Sequence, residues 1–116
     1  MARAVIEVKK PSGYNELGDV TLVALDGTDG GEVVFDARDI DSMIVVQNTA
    51  ASEGTLVIKK GNGVQAVADF SYAIAASSIK FIPIESGFFK NVSGADKGKI
   101  VFTGPATLKV AVISHP

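Results

Sequence analysis

The residues of this chain that could carry out catalysis are few and scattered. His115 is the only histidine, and it lies beside the last residue of the sequence, where a side chain is rarely held firmly enough to act as a general base. The serines occur without a G-x-S-x-G motif and without a second histidine. There is no cysteine, which excludes disulfides, thiolate catalysis and zinc–thiolate sites. We therefore expect a protein that is not an enzyme.

One glycine motif matches the pattern of a dinucleotide-binding loop. Gly61-Asn62-Gly63-Val64-Gln65-Ala66 follows a strand-like run and fits the form G-x-G-x-x-A. Such a loop binds a pyrophosphate only where a helix begins, because the amides of the first helical turn are the ligands. The residues that follow are strand-like instead, and the chain is too short for a full nucleotide-binding domain. The motif therefore predicts a hairpin turn and no cofactor.

Acidic residues form two clusters, the first with Asp26, Asp29 and Glu32 and the second with Asp36, Asp39 and Asp41. Calcium takes six to eight oxygen ligands, usually from a loop that alternates ligands and turns at a glycine. Neither cluster has that spacing, and Arg38 lies within the second cluster as a neutralising partner. We expect solvated turn residues and a local ion pair rather than a metal site, with calcium as the alternative.

Composition limits the class of partner. The chain has 116 residues, 47% of them hydrophobic and 21% charged, with a formal net charge of −2, which fits one folded domain. With only two arginines and no basic stripe, nucleic-acid binding is not expected. No run approaches the roughly 20 apolar residues that span a bilayer, and no signal-peptide pattern is present, so we expect no membrane partner and synthesis in a cytoplasm.

Short β-rich runs separated by Gly, Asn and Ser turns make up most of the chain. The runs are Val20–Leu25, Glu32–Asp36, Ser42–Gln47, Thr55–Lys60, Asp69–Ile74, Ser78–Glu85, Lys99–Thr103 and Thr107–Ile113. Residues 39–43 form at most a helical turn. The pattern predicts an all-β, single-domain β-sandwich or partly closed barrel of about seven or eight short, mostly antiparallel strands. Periodicity does not fix the strand order.

The first nineteen residues differ from the rest of the chain. Ala4 to Val8 could form a strand, but the sequence then breaks at Pro11 and Gly13. We interpret residues 1–19 as an extended N-terminal arm and residues 20–116 as the β-sandwich domain. The alternative is that residues 5 and 6 form an edge strand of the domain's own sheet.

Several strands are apolar on both faces. In the last run Leu108, Val110 and Val112 share one face, while Ala111 and Ile113 lie on the other. The second face is covered by loops, by the arm or by another protein chain. In the run before Glu85, Pro83 lacks an N–H and so favours an edge strand or a bulge.

From Val45 onward three segments define an order of strands and turns: Val46–Gly61, with its Asn-Thr turn and Gly-rich hairpin, Ile84–Asn91 and Lys99–Gly104, followed by a closing strand. This order resembles that of the small structural proteins of tailed phages and prophages that decorate the head. The resemblance covers about 70 residues, and it includes no catalytic motif.

The resemblance implies a head decoration protein, or capsid auxiliary protein, located in the virion. Such proteins bind the major capsid protein on the outside of the expanded shell, as monomers or homotrimers, and reinforce the shell against the pressure of the packaged DNA. The arm would then contact the shell or a neighbouring subunit through Arg3, Val5, Ile6 and Tyr14.

Two alternatives remain. One is another virion component, such as a tail, neck or fibre-base protein. The other is a ligand-binding β-sandwich, for which Tyr14, Tyr72 and the adjacent pair Phe88 and Phe89 are the aromatic residues able to stack on a sugar. A ligand-binding module predicts exposed aromatics or a polar groove, whereas a decoration protein predicts a broad, flat contact surface.

Overall fold

The β-branched runs between glycine and asparagine turns form strands in the computed structural model, which describes residues 3–36, 38–64, 66 and 68–115. These residues contain ten strands: β1 (Ala4–Ile6), β2 (Val8–Lys9), β3 (Val23–Ala24), β4 (Gly31–Val34), β5 (Ser42–Asn48), β6 (Gly54–Ile58), β7 (Phe70–Ile74), β8 (Ile79–Pro83), β9 (Lys99–Thr103) and β10 (Leu108–Ser114). Each of the eight predicted runs overlaps one of them, and β1 and β2 are additional.

The strands form two sheets that pack face to face, so the predicted all-β sandwich is confirmed and the sheets do not close into a barrel. Sheet 1 has the order β1-β4-β9-β6-β7, and sheet 2 has the order β2-β10-β5-β8, with β3 also paired to β10. Both sheets are mixed, because β1 runs parallel to β4 and β2 runs parallel to β10. The other pairings between these strands are antiparallel.

The segment predicted as an arm contributes a strand to each sheet. β1 is the edge strand of sheet 1, and Ile6 at its end is only 1% exposed. The chain passes Glu7 and enters sheet 2 as β2, so it connects the two sheets along one side of the sandwich. Residues 10–22 then return to β3 without regular structure, and residues 1 and 2 lie outside the described part.

Alternation along the strands places the core between the sheets. Leu108, Val110 and Val112 of β10 are fully buried, as predicted from their shared face. Val110 and Val112 lie beside Val46 and Ile44 of the neighbouring β5, whose side chains point to the same side of the sheet. Sheet 1 supplies the facing layer, which includes Val33, Leu56, Ile58, Ile100 and Phe102.

One buried polar side chain joins three segments. The Asn48 amide, 1% exposed, donates from Nδ2 to the carbonyl oxygens of Ser52 (2.9 Å) and Ile74 (3.0 Å). Its Oδ1 accepts from the amide of Ala50 at 2.9 Å. Since an unpaired buried amide is costly, this arrangement fixes the end of β5, the loop after it and the end of β7 relative to one another.

Two short helical turns lie at one end of the sandwich. Residues Asp39–Asp41 form a 3-10 turn, which confirms the prediction for residues 39–43, and Ser86–Phe89 form a single α-turn, α1, which was not predicted. Asp39 Oδ2 accepts from the amide of Ser86 at 3.0 Å. A partner 47 residues away in sequence therefore supports the start of α1, and local sequence gives no sign of it.

Candidate contact surface

The strand register of sheet 2 determines which side chains point away from the core. Since Val110 and Val112 point inward, their neighbours in β10 point outward. Paired residues on adjacent strands point to the same side of the sheet, so the register assigns the outward-pointing residues of β5, β8, β2 and β3 as well. The resulting outer face of sheet 2 consists of Lys9, Ala24, Met43, Val45, Gln47, Ile79, Phe81, Pro83, Lys109, Ala111 and Ile113.

This outer face is mainly apolar. Its polar members are Gln47, Lys9 and Lys109, which lie toward its ends, while Phe81 and Ile79 are 64% and 61% exposed. In the neighbouring β5, Val45 lies beside Phe81 and Met43 lies beside Pro83, and both are half-buried. Large apolar patches are rare on the surface of monomeric proteins and mark interaction sites. The face is therefore the strongest candidate for contact with another macromolecule.

The outer face of sheet 1 has a different character, because it carries an ion-paired cluster. Lys99 Nζ lies 2.7 Å from Glu32 Oε2, and Arg3 Nη1 lies 2.8 Å from Asp96 Oδ1 and 3.6 Å from Glu32 Oε1. The hydrogen bond from Arg3 lowers the pKa of Asp96 below its usual value. This cluster links Arg3, just before β1, to β4, β9 and the turn before β9, and it adds charge to a face that also exposes Val5 and Val34.

The charge on the outer face of sheet 2 is entirely positive. Lys9 and Lys109 are its only ionisable members, and Lys9 is 3.4 Å from the exposed carboxylate of Glu7. A surface that matches this face would be apolar at its centre and acidic near its border, since opposite charges across an interface fix register and steer association.

The four residues predicted as arm contacts lie in different surroundings. Arg3 belongs to the ion cluster, and Val5 is exposed on the outer face of sheet 1. Ile6 is in the core, so its side chain cannot reach a partner. Tyr14 is 76% exposed on a turn in which the amide of Glu16 donates to the carbonyl of Gly13. The structure does not bring these four residues together.

The sequence did contain a sign of the outer face of sheet 2. β5, β8 and β10 each have apolar residues at both odd and even positions, as in Met43–Val46, Ile79–Ile84 and Val110–Ile113. Side chains at one set of alternate positions fill the core, and the apolar side chains at the other set need a partner that covers them. The sequence did not reveal the strand order, which places these three strands side by side and so forms one continuous outer face.

The acidic clusters are explained by turn geometry and ion pairing. Asp26 Oδ1 accepts from the amides of Asp29 (2.9 Å) and Thr28 (2.8 Å), and these hydrogen bonds lower its pKa. The ion pair predicted for Arg38 is confirmed, with Nε 3.6 Å from Asp41 Oδ2. Across the described residues, no three His, Cys, Asp or Glu side chains come close enough together to hold a metal ion.

The glycine motif belongs to the connection between β6 and β7, which are antiparallel neighbours, so the predicted hairpin is confirmed. Gly61 donates from its amide to the carbonyl of Phe88 at 2.9 Å, and a Cβ there would lie 2.5 Å from the Lys90 carbonyl oxygen. The first glycine thus permits close packing on α1. Gln65 of the motif lies outside the described residues.

The adjacent pair Phe88 and Phe89 does not form an exposed stacking platform, whereas Tyr72 lines a groove with the exposed Phe81. Phe89 is buried and Phe88 half-buried, and both pack against Phe70, with ring centroids 5.0 and 6.0 Å away respectively. His115, the only histidine, is exposed, and its backbone amide donates to the carbonyl of Asp41 at 2.9 Å. These residues support the end of the sandwich that carries α1 and the 3-10 turn.

Comparisons with protein-family models, with curated proteins and with solved structures found no match to this chain. In the described part of the chain, no helix has the length and apolar character needed to cross a membrane.

Proposed function

We propose that this protein is a non-enzymatic structural component of a phage virion, a head decoration protein that binds the outer surface of the capsid and stabilises the shell. The observation that carries the proposal is the apolar outer face of sheet 2, with Phe81 and Ile79 largely exposed. An exposed apolar sheet face of this kind suits contact with another folded surface more than it suits a small ligand.

The partner in this proposal is the major capsid protein, and the protein acts on the virion surface after synthesis in the host cytoplasm. Phe81 and Val45 lie side by side at the centre of the face, against apolar residues of the shell, while Ala111 on the far side of Val45 is only 1% exposed. Lys9 and Lys109 lie near acidic residues of the shell at the border of the contact. Apolar burial supplies the affinity, and the lysines set the orientation.

The proposal is tested by mixing the purified protein with expanded shells that lack it, pelleting the shells and counting the bound copies per shell. We expect saturable binding at a copy number that matches one set of lattice positions. Absence of binding by a protein that is folded by circular dichroism would overturn the head assignment. It would favour a tail, neck or fibre-base protein, or a ligand-binding module.

Two valine substitutions show which face binds. Val45→Glu places a carboxylate at the centre of the outer face of sheet 2 and is expected to reduce shell binding at least tenfold, about 1.4 kcal/mol. Val34→Glu makes the same change at an exposed position of sheet 1 and serves as the matched control. Equal binding by the two variants would show that the contact lies elsewhere on the molecule.

A further inference from the structure

One side of the sandwich is open. β1 and β2 connect the sheets on one side, whereas on the other side the edge strands β7 and β8 pair only with β6 and β5. Between them lies a groove of about 450 Å³, lined by residues 71–74 and 80–83. In the described part of the chain, no segment pairs with the free edge of β8.

The hydrogen-bond pattern identifies the backbone groups on that free edge. The amide of Asn48 donates to the carbonyl of Ser78 at 2.9 Å, so this is a hydrogen-bonded pair. In antiparallel sheets such pairs alternate with non-bonded ones, so the backbone groups of Lys80 and Ile82 also point toward β5. The backbone groups of Ile79, Phe81 and Pro83 therefore point outward, and the missing N–H of Pro83 falls on the free edge.

This edge is only partly protected against pairing. Proteins usually shield an exposed edge strand with charges, proline, a bulge, a short length or a covering loop. Of these devices β8 carries Lys80 and, at its end, Pro83, but it pairs with β5 in continuous register over five residues. Its side chains Ile79 and Phe81 are among the most exposed apolar residues of either sheet. The edge thus has the properties of a strand that pairs with another strand.

We propose that two copies of this chain pair through their β8 strands, antiparallel, about a two-fold axis that passes beside Phe81. This register overlaps all five residues of β8 and places Phe81 opposite Phe81 of the second copy. Ile79 lies opposite Pro83, and its N–H donates to the Pro83 carbonyl. The two Phe81 residues exchange both of their hydrogen bonds, so four bonds form, and only the Ile79 carbonyls lack a donor.

The register keeps like charges out of direct opposition. Lys80 lies opposite Ile82 of the second copy, and the two Lys80 residues are diagonal neighbours about 7–8 Å apart. Direct opposition of like charges across two strands is destabilising. By contrast, direct stacking of the outer faces of sheet 2 from two copies would bury Lys109, for which neither face carries a carboxylate. The edge is therefore the more favourable contact between copies.

The pairing also brings the area of the outer face of sheet 2 close to what its proposed function requires, and in this respect the inference rests on that function. The strands of sheet 2 contain 23 residues, which at about 3.3 Å per residue and about 4.8 Å between strands present on the order of 360 Å². A stable interface of standard size buries about 800 Å² on each partner. Two copies joined at β8 present one continuous face of roughly twice the single area, on the order of 700 Å².

The inference is tested in solution, without shells, by cross-linking. Because the wild-type chain has no cysteine, single-cysteine variants report on single positions. In a hydrogen-bonded pair the Cα atoms are about 5.5 Å apart, within disulfide range, so Phe81→Cys should give a disulfide-linked dimer. Ile79→Cys is the matched control on the same strand and face, because its two copies would be about 14 Å apart.

We expect Phe81→Cys to cross-link at least tenfold faster than Ile79→Cys and than Val5→Cys, which places the thiol on the edge strand of sheet 1. In sedimentation equilibrium the wild-type protein should show a concentration-dependent dimer that Phe81→Glu abolishes. Equal cross-linking rates for the three variants, or a trimeric mass, would overturn the inference. A dimer that does not bind shells would instead refute the decoration function, and shell binding by a strict monomer would refute only the pairing.

Discussion

Replacing Asn48 with alanine should be among the most damaging single changes in the molecule. The substitution removes two donated hydrogen bonds and one accepted bond at a side chain that is 1% exposed. Each such bond contributes about 1 kcal/mol net, and groups left unpaired in the interior cost about 1–3 kcal/mol each. The hydrogen bond to the Ile74 carbonyl is fully buried, so water cannot replace it and its loss should cost an amount in the upper part of that range.

We therefore expect Asn48→Ala to lower the free energy of unfolding by about 3–4 kcal/mol, a large part of the 5–15 kcal/mol that is typical of a domain. The measurement is urea unfolding followed by circular dichroism. Asn62→Ala is the matched control, since the Asn62 amide also bridges two backbone groups but is exposed, and it should cost less than about 1 kcal/mol. Similar losses for the two variants, or a loss below about 0.5 kcal/mol for Asn48→Ala, would refute the reasoning from burial.

Two further predictions concern stability. Gly61→Ala places a Cβ 2.5 Å from the Lys90 carbonyl oxygen and should lower the free energy of unfolding, measured by urea titration, by about 2 kcal/mol. Gly63→Ala is the control, because its Cβ would lie 3.6 Å from the nearest atom, and it should be nearly neutral. Equal effects of the two substitutions would contradict the packing role of Gly61. The hydrogen bond from Arg3 lowers the pKa of Asp96 below 3.8, so this carboxylate stabilises the fold above that pH and its contribution is lost as the pH falls through the lowered pKa. The urea midpoint of Asp96→Asn should therefore fall less steeply below pH 4 than that of the wild type, and parallel profiles would rule out this contribution.

The features that sequence predicted are those set by neighbours along the chain. Turn residues separate the eight predicted runs, and the alternation in β10 correctly assigns Leu108, Val110 and Val112 to one buried face. Pro83 predicted an edge strand or a bulge from its missing N–H, and β8 is an edge strand. These properties depend on backbone chemistry within a few residues, which a single sequence contains.

The features that sequence missed depend on contacts between distant residues. That residues 4–9 divide between two sheets follows from pairing with β4 and β10, and no local pattern distinguishes this from an arm. The support of α1 by Asp39 is equally distant. The outer face of sheet 2 was anticipated only as a second apolar face, because its shape depends on the order of β10, β5 and β8.

The position of β10 has a consequence for the time at which the molecule can fold. β10 is synthesised after the nine other described strands, yet it lies between β2 and β5 and also pairs with β3. Until residue 114 has left the ribosome, the edge of β5 that pairs with β10 has no partner strand, although its other edge can already pair with β8. Sheet 2 is therefore complete only after residue 114 has been synthesised, and pairing between residues more than 100 positions apart makes this a slow step.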